Sequence, residues 1–246
     1  MHSKKIEMRY LLSILVVLIT FVGCSTDTES MKISGNVKGL KKGVILLQKF
    51  EDTVLVTIDS VIIDGNSDFK FSEKIESPEL YYLYVRLKDG TLHDDRITFF
   101  AENGDLNIHT NLKNFGSSAQ VSGSKNDSLL KSYDKLKQRF VSNNLELIEQ
   151  RLKLKGTGSD SLDNDIDRKQ RALISNKYFA TINFAMNHSD YEVAPFLVLS
   201  EAYDTNIKYL DTVYNSLSPK IKDSKYGKEL ESYIKNRKEV ETTKER

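Results

Sequence analysis

Cys24 is the sole cysteine of this 246-residue chain, and its setting implies one covalent chemistry. Lys4, Lys5 and Arg9 form a basic start, Tyr10 to Val22 an apolar run, and the small Gly23 stands directly before the thiol. That order is a secretory signal of the lipoprotein type. The run is shorter than the ~20 residues a membrane span needs. Removal of residues 1–23 is therefore expected, leaving Cys24 as the first mature residue and the carrier of lipid, palmitate included. Acyl chains contribute ~0.8 kcal/mol per buried methylene. The protein is thus expected to stay on a membrane of the cell envelope, the outer membrane in this reading. The modification also consumes the chain's only thiol, so neither an intrachain disulfide nor thiol redox chemistry is expected.

Imidazoles and carboxylates supply the next candidates. His93-Asp94-Asp95 could serve a hydrolase as an acid–base or metal cluster. The same residues follow Asp89-Gly90 and read as a solvated hairpin loop, which is the reading preferred here. His2 falls within the signal. His109 alternates away from Leu106 and Ile108 and is expected to face solvent. His188 follows a helix end, where a cation complements the dipole. Gly156-Thr157-Gly158 lacks the Gly-Lys-Ser/Thr ending of a phosphate loop and reads as a linker. Tyr81, Tyr82 and Tyr84 share one strand, where either a ligand groove or ordinary packing would account for them. No catalytic, cofactor-binding or metal-ligating residue is assigned, and a non-enzymatic role is expected.

One pattern exceeds its background. Asp followed by Ser or Thr and then an apolar residue occurs at Asp52-Thr53-Val54, Asp59-Ser60-Val61, Asp127-Ser128-Leu129, Asp160-Ser161-Leu162 and Asp211-Thr212-Val213. Composition alone gives about one such match. Capping and turn chemistry explains Asp127 and Asp160. The hydroxyls of Thr53, Ser60, Ser128, Ser161 and Thr212 are the candidates for modification.

Charge narrows the partners. The formal net charge is +1. Loss of Lys4, Lys5, Arg9 and Glu7, together +2, takes the mature chain to −1. A near-neutral surface argues against nucleic acid. The membrane, reached through Cys24, is the expected partner, with an envelope protein or glycan beside it. Residues 24–30, with Ser25, Thr26, Asp27, Thr28, Glu29 and Ser30 after the cysteine, read as a polar tether.

These residues must be held by two kinds of element. From Met31 to about Ser122 the pattern has period two, broken by turn residues. Strands are predicted around Ile33 to Val37, Gly43 to Phe50, Val54 to Ile58, Phe69 to Ile75, Leu80 to Leu87, Ile97 to Ala101, Leu106 to Ile108 and Gln120 to Ser122. Asp64-Gly65-Asn66-Ser67 reads as a turn, and Asn103-Gly104-Asp105 as a hairpin-type turn. Then the period changes. Asn126-Asp127-Ser128 caps a helix with Leu129, Tyr133, Leu136 and Phe140 on one stripe, continued by Leu145, Ile148 and Leu152. A second helix runs from Ser161 to Asn187 with Ile166, Leu173, Ile174, Tyr178 and Ile182 inward. Further helices carry Pro195, then Ile207 to Leu217, then Tyr226 to Ile234. The fold class is α+β: an antiparallel β-sandwich over 31–124, a helical segment over 125–240 and a disordered tail over 241–246.

Several of these features resemble known families. Phe21-Val22-Gly23-Cys24 is similar to the bacterial lipobox, with Phe21 where leucine is usual. Ile33-Ser34-Gly35-Asn36-Val37, Val44 to Leu46, Ile58-Asp59-Ser60, Asp64-Gly65, Phe69, Phe71, Pro78 to Tyr81, Phe100 to Gly104 and Val121 to Ser124 resemble the domain of unknown function 4369. The likeness covers roughly Met31 to Asn126. It implies a Bacteroidetes lipoprotein of the kind that places this domain ahead of a thioredoxin-like one. Asn187-His188-Ser189, Ala194 to Leu197, Tyr214 to Ser218 and Tyr226-Gly227 resemble the helical segment that follows in those proteins. The present sequence contains no Cys-x-x-Cys, so their redox role does not transfer. The resemblance implies a binding or assembly module, or else an accessory to thiol–disulfide exchange acting with a separate thioredoxin-like partner. The five Asp-Ser/Thr tripeptides resemble O-glycosylation acceptors of the same envelope proteins.

Overall fold

The computed structural model describes residues 30–154 and 160–244. Cys24 and the expected tether up to residue 29 therefore lie outside the described residues, and Ser30, read as the end of the tether, already belongs to the first strand. Eight strands come first: β1 (Ser30–Lys38), β2 (Lys42–Glu51), β3 (Val54–Asp64), β4 (Asp68–Lys74), β5 (Glu79–Leu87), β6 (Ile97–Ala101), β7 (Gly104–Asn111) and β8 (Gln120–Ser122). They form two four-stranded sheets, ordered β4-β1-β7-β8 and β3-β2-β5-β6.

The period-two pattern builds the core. Met31, Ile33 and Val37 of β1, Phe69 and Phe71 of β4, and Leu106 and Ile108 of β7 line the inside of the first sheet. Ile45, Leu47, Leu83, Val85 and Phe99 line the second, in the same apolar cluster. Gly35 lies on central β1, where a Cβ would stand 2.1 Å from the Ile108 carbonyl oxygen and 2.5 Å from the Phe69 ring. Only a residue without a side chain admits that ring.

Two connections differ from the local reading. Ile33 pairs antiparallel with Phe71 on one side but parallel with Leu106 on the other, so the sandwich contains one parallel pair. Asn103-Gly104-Asp105 is not a hairpin. β6 pairs with β5 and β7 with β1, so this turn carries the chain from one sheet to the other, with Gly104 at φ 119°. Such a positive φ suits glycine. The strand predicted to end at Ile58 continues to Asp64.

Helices follow: α1 (Lys125–Leu154), α2 (Asp160–Asn187), α3 (Val193–Glu201), α4 (Ile207–Ser216), α5 (Pro219–Asp223) and α6 (Lys225–Lys244). Ser124 caps α1, accepting the Asp127 N–H at 2.9 Å. The predicted cap, Asn126 to Ser128, lies within the first turn instead. Asn206 caps α4 through the Lys208 N–H. The one-turn α5, opened by Pro219, is absent from the periodicity reading, and α6 continues past residue 240 to Lys244.

The helices bury Ile182, Ala194, Val198, Leu210, Val213, Ile221 and Leu230 among themselves. Ile166 and Ile182 are inward as expected, but Ile174 is exposed. At the junction of α1, α2 and α3, Glu201 accepts from Lys137 at 2.9 Å and Lys177 at 3.0 Å. Burial pushes its carboxyl up, but these bonds outweigh that and hold it below the ordinary value.

Candidate functional site

Alternation along β5 separates the three tyrosines. Tyr81 points into the sandwich and is buried, while Tyr82 and Tyr84 stand half-buried on the outer face. β2 supplies Gln48 opposite Tyr82 and Leu46 opposite Tyr84. Phe50 meets the Tyr82 ring edge-on, with centroids 5.5 Å apart. Just before β6, Arg96 reaches the same place. Its guanidinium lies 5.0 Å from the Tyr82 centroid and donates to the Tyr84 hydroxyl at 2.9 Å.

That bond to Tyr84 pushes the Arg96 guanidinium up from an already high value, so it stays charged. Burial pushes the Tyr82 hydroxyl up as well. Among the described residues no carboxylate forms an ion pair with the Arg96 side chain. A guanidinium held over one ring and tied to a second has lost rotamer freedom before any ligand arrives. Gln48 donates to Thr57 at 2.8 Å, extending the polar row onto β3. The result is an aromatic platform with one fixed, unneutralised cation.

The helical unit covers the β6 end of the same sheet face. Phe100 is fully buried beneath Phe196 and Tyr226, at centroid distances of 5.7 and 5.9 Å. The Tyr226 hydroxyl accepts the Leu80 N–H at 3.2 Å, and burial pushes its ionisation well above the ordinary tyrosine range. Glu79 is held between Lys49 of β2, at 3.1 Å, and Lys225 of α6. One end of the face is thus a joint, and Phe50, Tyr82, Tyr84 and Arg96 remain open beside it.

A second joint is polar and buried. The Asn126 amide donates to Glu102 at 2.8 Å and to Glu192 at 2.9 Å, while its carbonyl oxygen accepts the Val193 N–H at 2.9 Å. Val193 opens α3, so this is one of the helix's free N–H groups. Glu102 also accepts from the Lys125 and Asn126 backbones. Asp127 accepts the Phe100 N–H at 3.3 Å and pairs with Lys131 at 2.8 Å. The first turn of α1 is therefore built into the sandwich.

Residues 31–130 match a family model described as Domain of unknown function (DUF4369). The resemblance read from the strands and turns is borne out over this region. The DUF4369 region ends inside α1, after the turn that carries Asn126 and Asp127. Its boundary agrees with the contacts, because those two side chains bond β6 and the β6–β7 turn. No curated protein matches the chain.

Apart from Tyr82 and Tyr84, the sequence candidates do not gather at this site. His93 accepts the Asp95 N–H at 3.2 Å, and its ring packs 5.9 Å from Phe115. Asp95 accepts the Gly116 N–H at 2.6 Å and the Arg96 N–H at 2.9 Å, which fixes a loop and leads the chain to Arg96. Asp94 is exposed. Among the described residues no group of three or more His, Cys, Asp or Glu side chains is placed to hold a metal ion. His109 is exposed on β7, and His188 bonds the Phe184 carbonyl at 2.8 Å at the end of α2. Thr53, Ser60, Ser128, Ser161 and Thr212 all belong to exposed residues and are spread over both units. Ser128 and Thr212 donate back to the carbonyls of Ser124 and Lys208. Thr53 stands in the two-residue β2–β3 turn beside Asp52 at φ 53°.

Proposed function

We propose that this protein is an envelope lipoprotein, tethered through lipid on Cys24, whose sandwich is a binding module for acidic glycans. The observation that carries the ligand class is the Arg96 guanidinium laid on Tyr82 and bonded to Tyr84 beside Phe50. Half-buried rings offer a flat face to sugar rings, and a preformed guanidinium offers paired donors to a carboxylate. Phe50, Tyr82 and Tyr84 rise from the central strands β2 and β5, and Arg96 reaches over them from the loop before β6. Addition of a peptide strand is therefore not the mode this geometry favours.

An oligogalacturonate probe titrated against the full chain tests the reading, with a neutral dextrin of equal length as reference. The acidic probe is expected to bind more tightly. Arg96→Gln is expected to weaken it about tenfold or more, the scale of a charge-assisted hydrogen bond. Tyr82→Ala is expected to weaken both probes. Equal affinity of Arg96→Gln and the parent protein for the acidic probe would overturn the ligand class.

The anchor is tested separately by the intact mass of protein from its native membrane. The expected mass begins at Cys24 and includes acyl chains, and Cys24→Ser is expected to abolish both cleavage and acylation. Additional hexose-type mass would mark glycosylation, with Thr53 the expected first site because it lies on an exposed turn. A native mass equal to the unmodified chain sinks both modifications.

A further inference from the structure

Two apolar stripes run along α1, and the better one is left uncovered. In the half beyond Lys137, the side facing α2 carries Phe140, Asn144, Leu147, Arg151 and Leu154. Asn144 accepts from Gln170 at 3.2 Å, and Arg151 pairs with Asp163 and Asp167. This seam inside the hairpin is laced with polar groups. One position on lie Val141, Leu145, Ile148 and Leu152, spaced four, three and four residues apart. They are 41%, 59%, 40% and 58% exposed. That spacing is the a/d repeat of a helix–helix seam. Ile174 of α2, 52% exposed, shares a cleft of about 430 Å³ with Phe140 and Val141, which extends the apolar surface. Every side chain of α1 that is buried lies in its first nine residues, so among the described residues the later half is left largely uncovered.

We infer that a second copy of this chain covers the stripe, pairing two α1–α2 hairpins. The stripe is complementary to itself when inverted. A two-fold axis between residues 146 and 147 sets Val141 against Leu152 of the second copy and Leu145 against its Ile148. Each layer then joins a leucine to a β-branched residue, and the more exposed member of each layer meets the less exposed one. The extent also suits a dimer. Residues 137–154 make a face ~27 Å long, and two helices make it ~20 Å wide. Such a face has a footprint of ~540 Å² per partner, ~1,080 Å² in all, which clears the ~1,000 Å² a specific interface needs and falls below the ~1,600 Å² of a standard one.

Native mass spectrometry and sedimentation equilibrium of the full chain, released from detergent, test the inference. The expected species is a dimer whose melting temperature rises with protein concentration, as mass action requires. Leu145→Lys and Ile148→Lys change side chains that are exposed in one chain. Their circular dichroism is expected to match the parent, while association weakens at least a hundredfold. Three results would each overturn the inference: a parent protein of one-chain mass, a melting temperature independent of concentration, or dimers that both lysine variants retain. The glycan reading is untouched by any of these, because Arg96 and Tyr82 lie on the sandwich.

Discussion

Replacing Asn126 with leucine is expected to lower stability by about 3–5 kcal/mol, the range found when one partner of a buried charged network is removed. Leucine fills much the same volume, so the cost is not a cavity. It comes from what the amide leaves behind. Glu192 is 3% exposed and loses its donor, and the Val193 N–H at the start of α3 loses its acceptor. Glu102 suffers less, because it keeps the Lys125 and Asn126 backbone N–H groups. In a chain of this size such a loss corresponds to ~6–20 °C in melting temperature. The decisive measurement is a double-mutant cycle with Glu192→Leu. Removing both polar partners avoids most of the unpaired-group penalty. The double variant is therefore expected to be more stable than Asn126→Leu alone. A double variant that is less stable, by the sum of the two single effects, would mean that the pair is not coupled.

Asn126 also shows where a sequence stops being informative. An Asn-Asp-Ser run at a change of period reads as a helix cap, and the helix is there. The cap is Ser124, two residues earlier, and Asn126 faces inward because Glu102 and Glu192 converge on it from distant parts of the chain. Local pattern is sufficient to locate the eight strands, though not the full length of β3, since alternation and turn residues act within a few positions. It could not show that β1 lies parallel to β7, or that Gly104 switches sheets, because those pairings join residues about seventy positions apart. The one-turn α5 is too short to carry a period, although Ser218-Pro219 is a usable start signal.

The candidate site was half legible. The tyrosine-rich strand is plain in the sequence, and alternation alone separates Tyr81 from Tyr82 and Tyr84. Arg96 was invisible. It lies in a loop ahead of β6 and reaches the rings only because β6 pairs with β5 and Asp95 fixes the approach. The stripe on α1 shows the same limit in a different way. A stripe extended from Phe140 takes in Leu145, Ile148 and Leu152 but passes over Val141. Periodicity finds amphipathic faces but does not say which of two adjacent faces a neighbouring helix will take.

The adjacent phenylalanines of β6 turn that distinction into a measurement. Phe99→Ala and Phe100→Ala remove the same ring from fully buried neighbours, and each is expected to cost ~3–5 kcal/mol. The losses should fall in different places. Phe99 packs inside the sandwich, tilted against Tyr81 at 6.3 Å. Phe100 packs outside it, in a separate cluster with Leu129, Tyr133, Val193 and Leu197, beneath Phe196 and Tyr226. Hydrogen exchange is therefore expected to speed up across β1, β2 and β5 in Phe99→Ala. In Phe100→Ala the faster amides are expected in α3, the start of α6 and the first turns of α1, with β1 and β2 still protected. Opening of only part of a structure is read by exchange in this way. If Phe100→Ala loosened both units equally, the joint would not be a separate element of stability, and the sandwich and helices would unfold as one cooperative body.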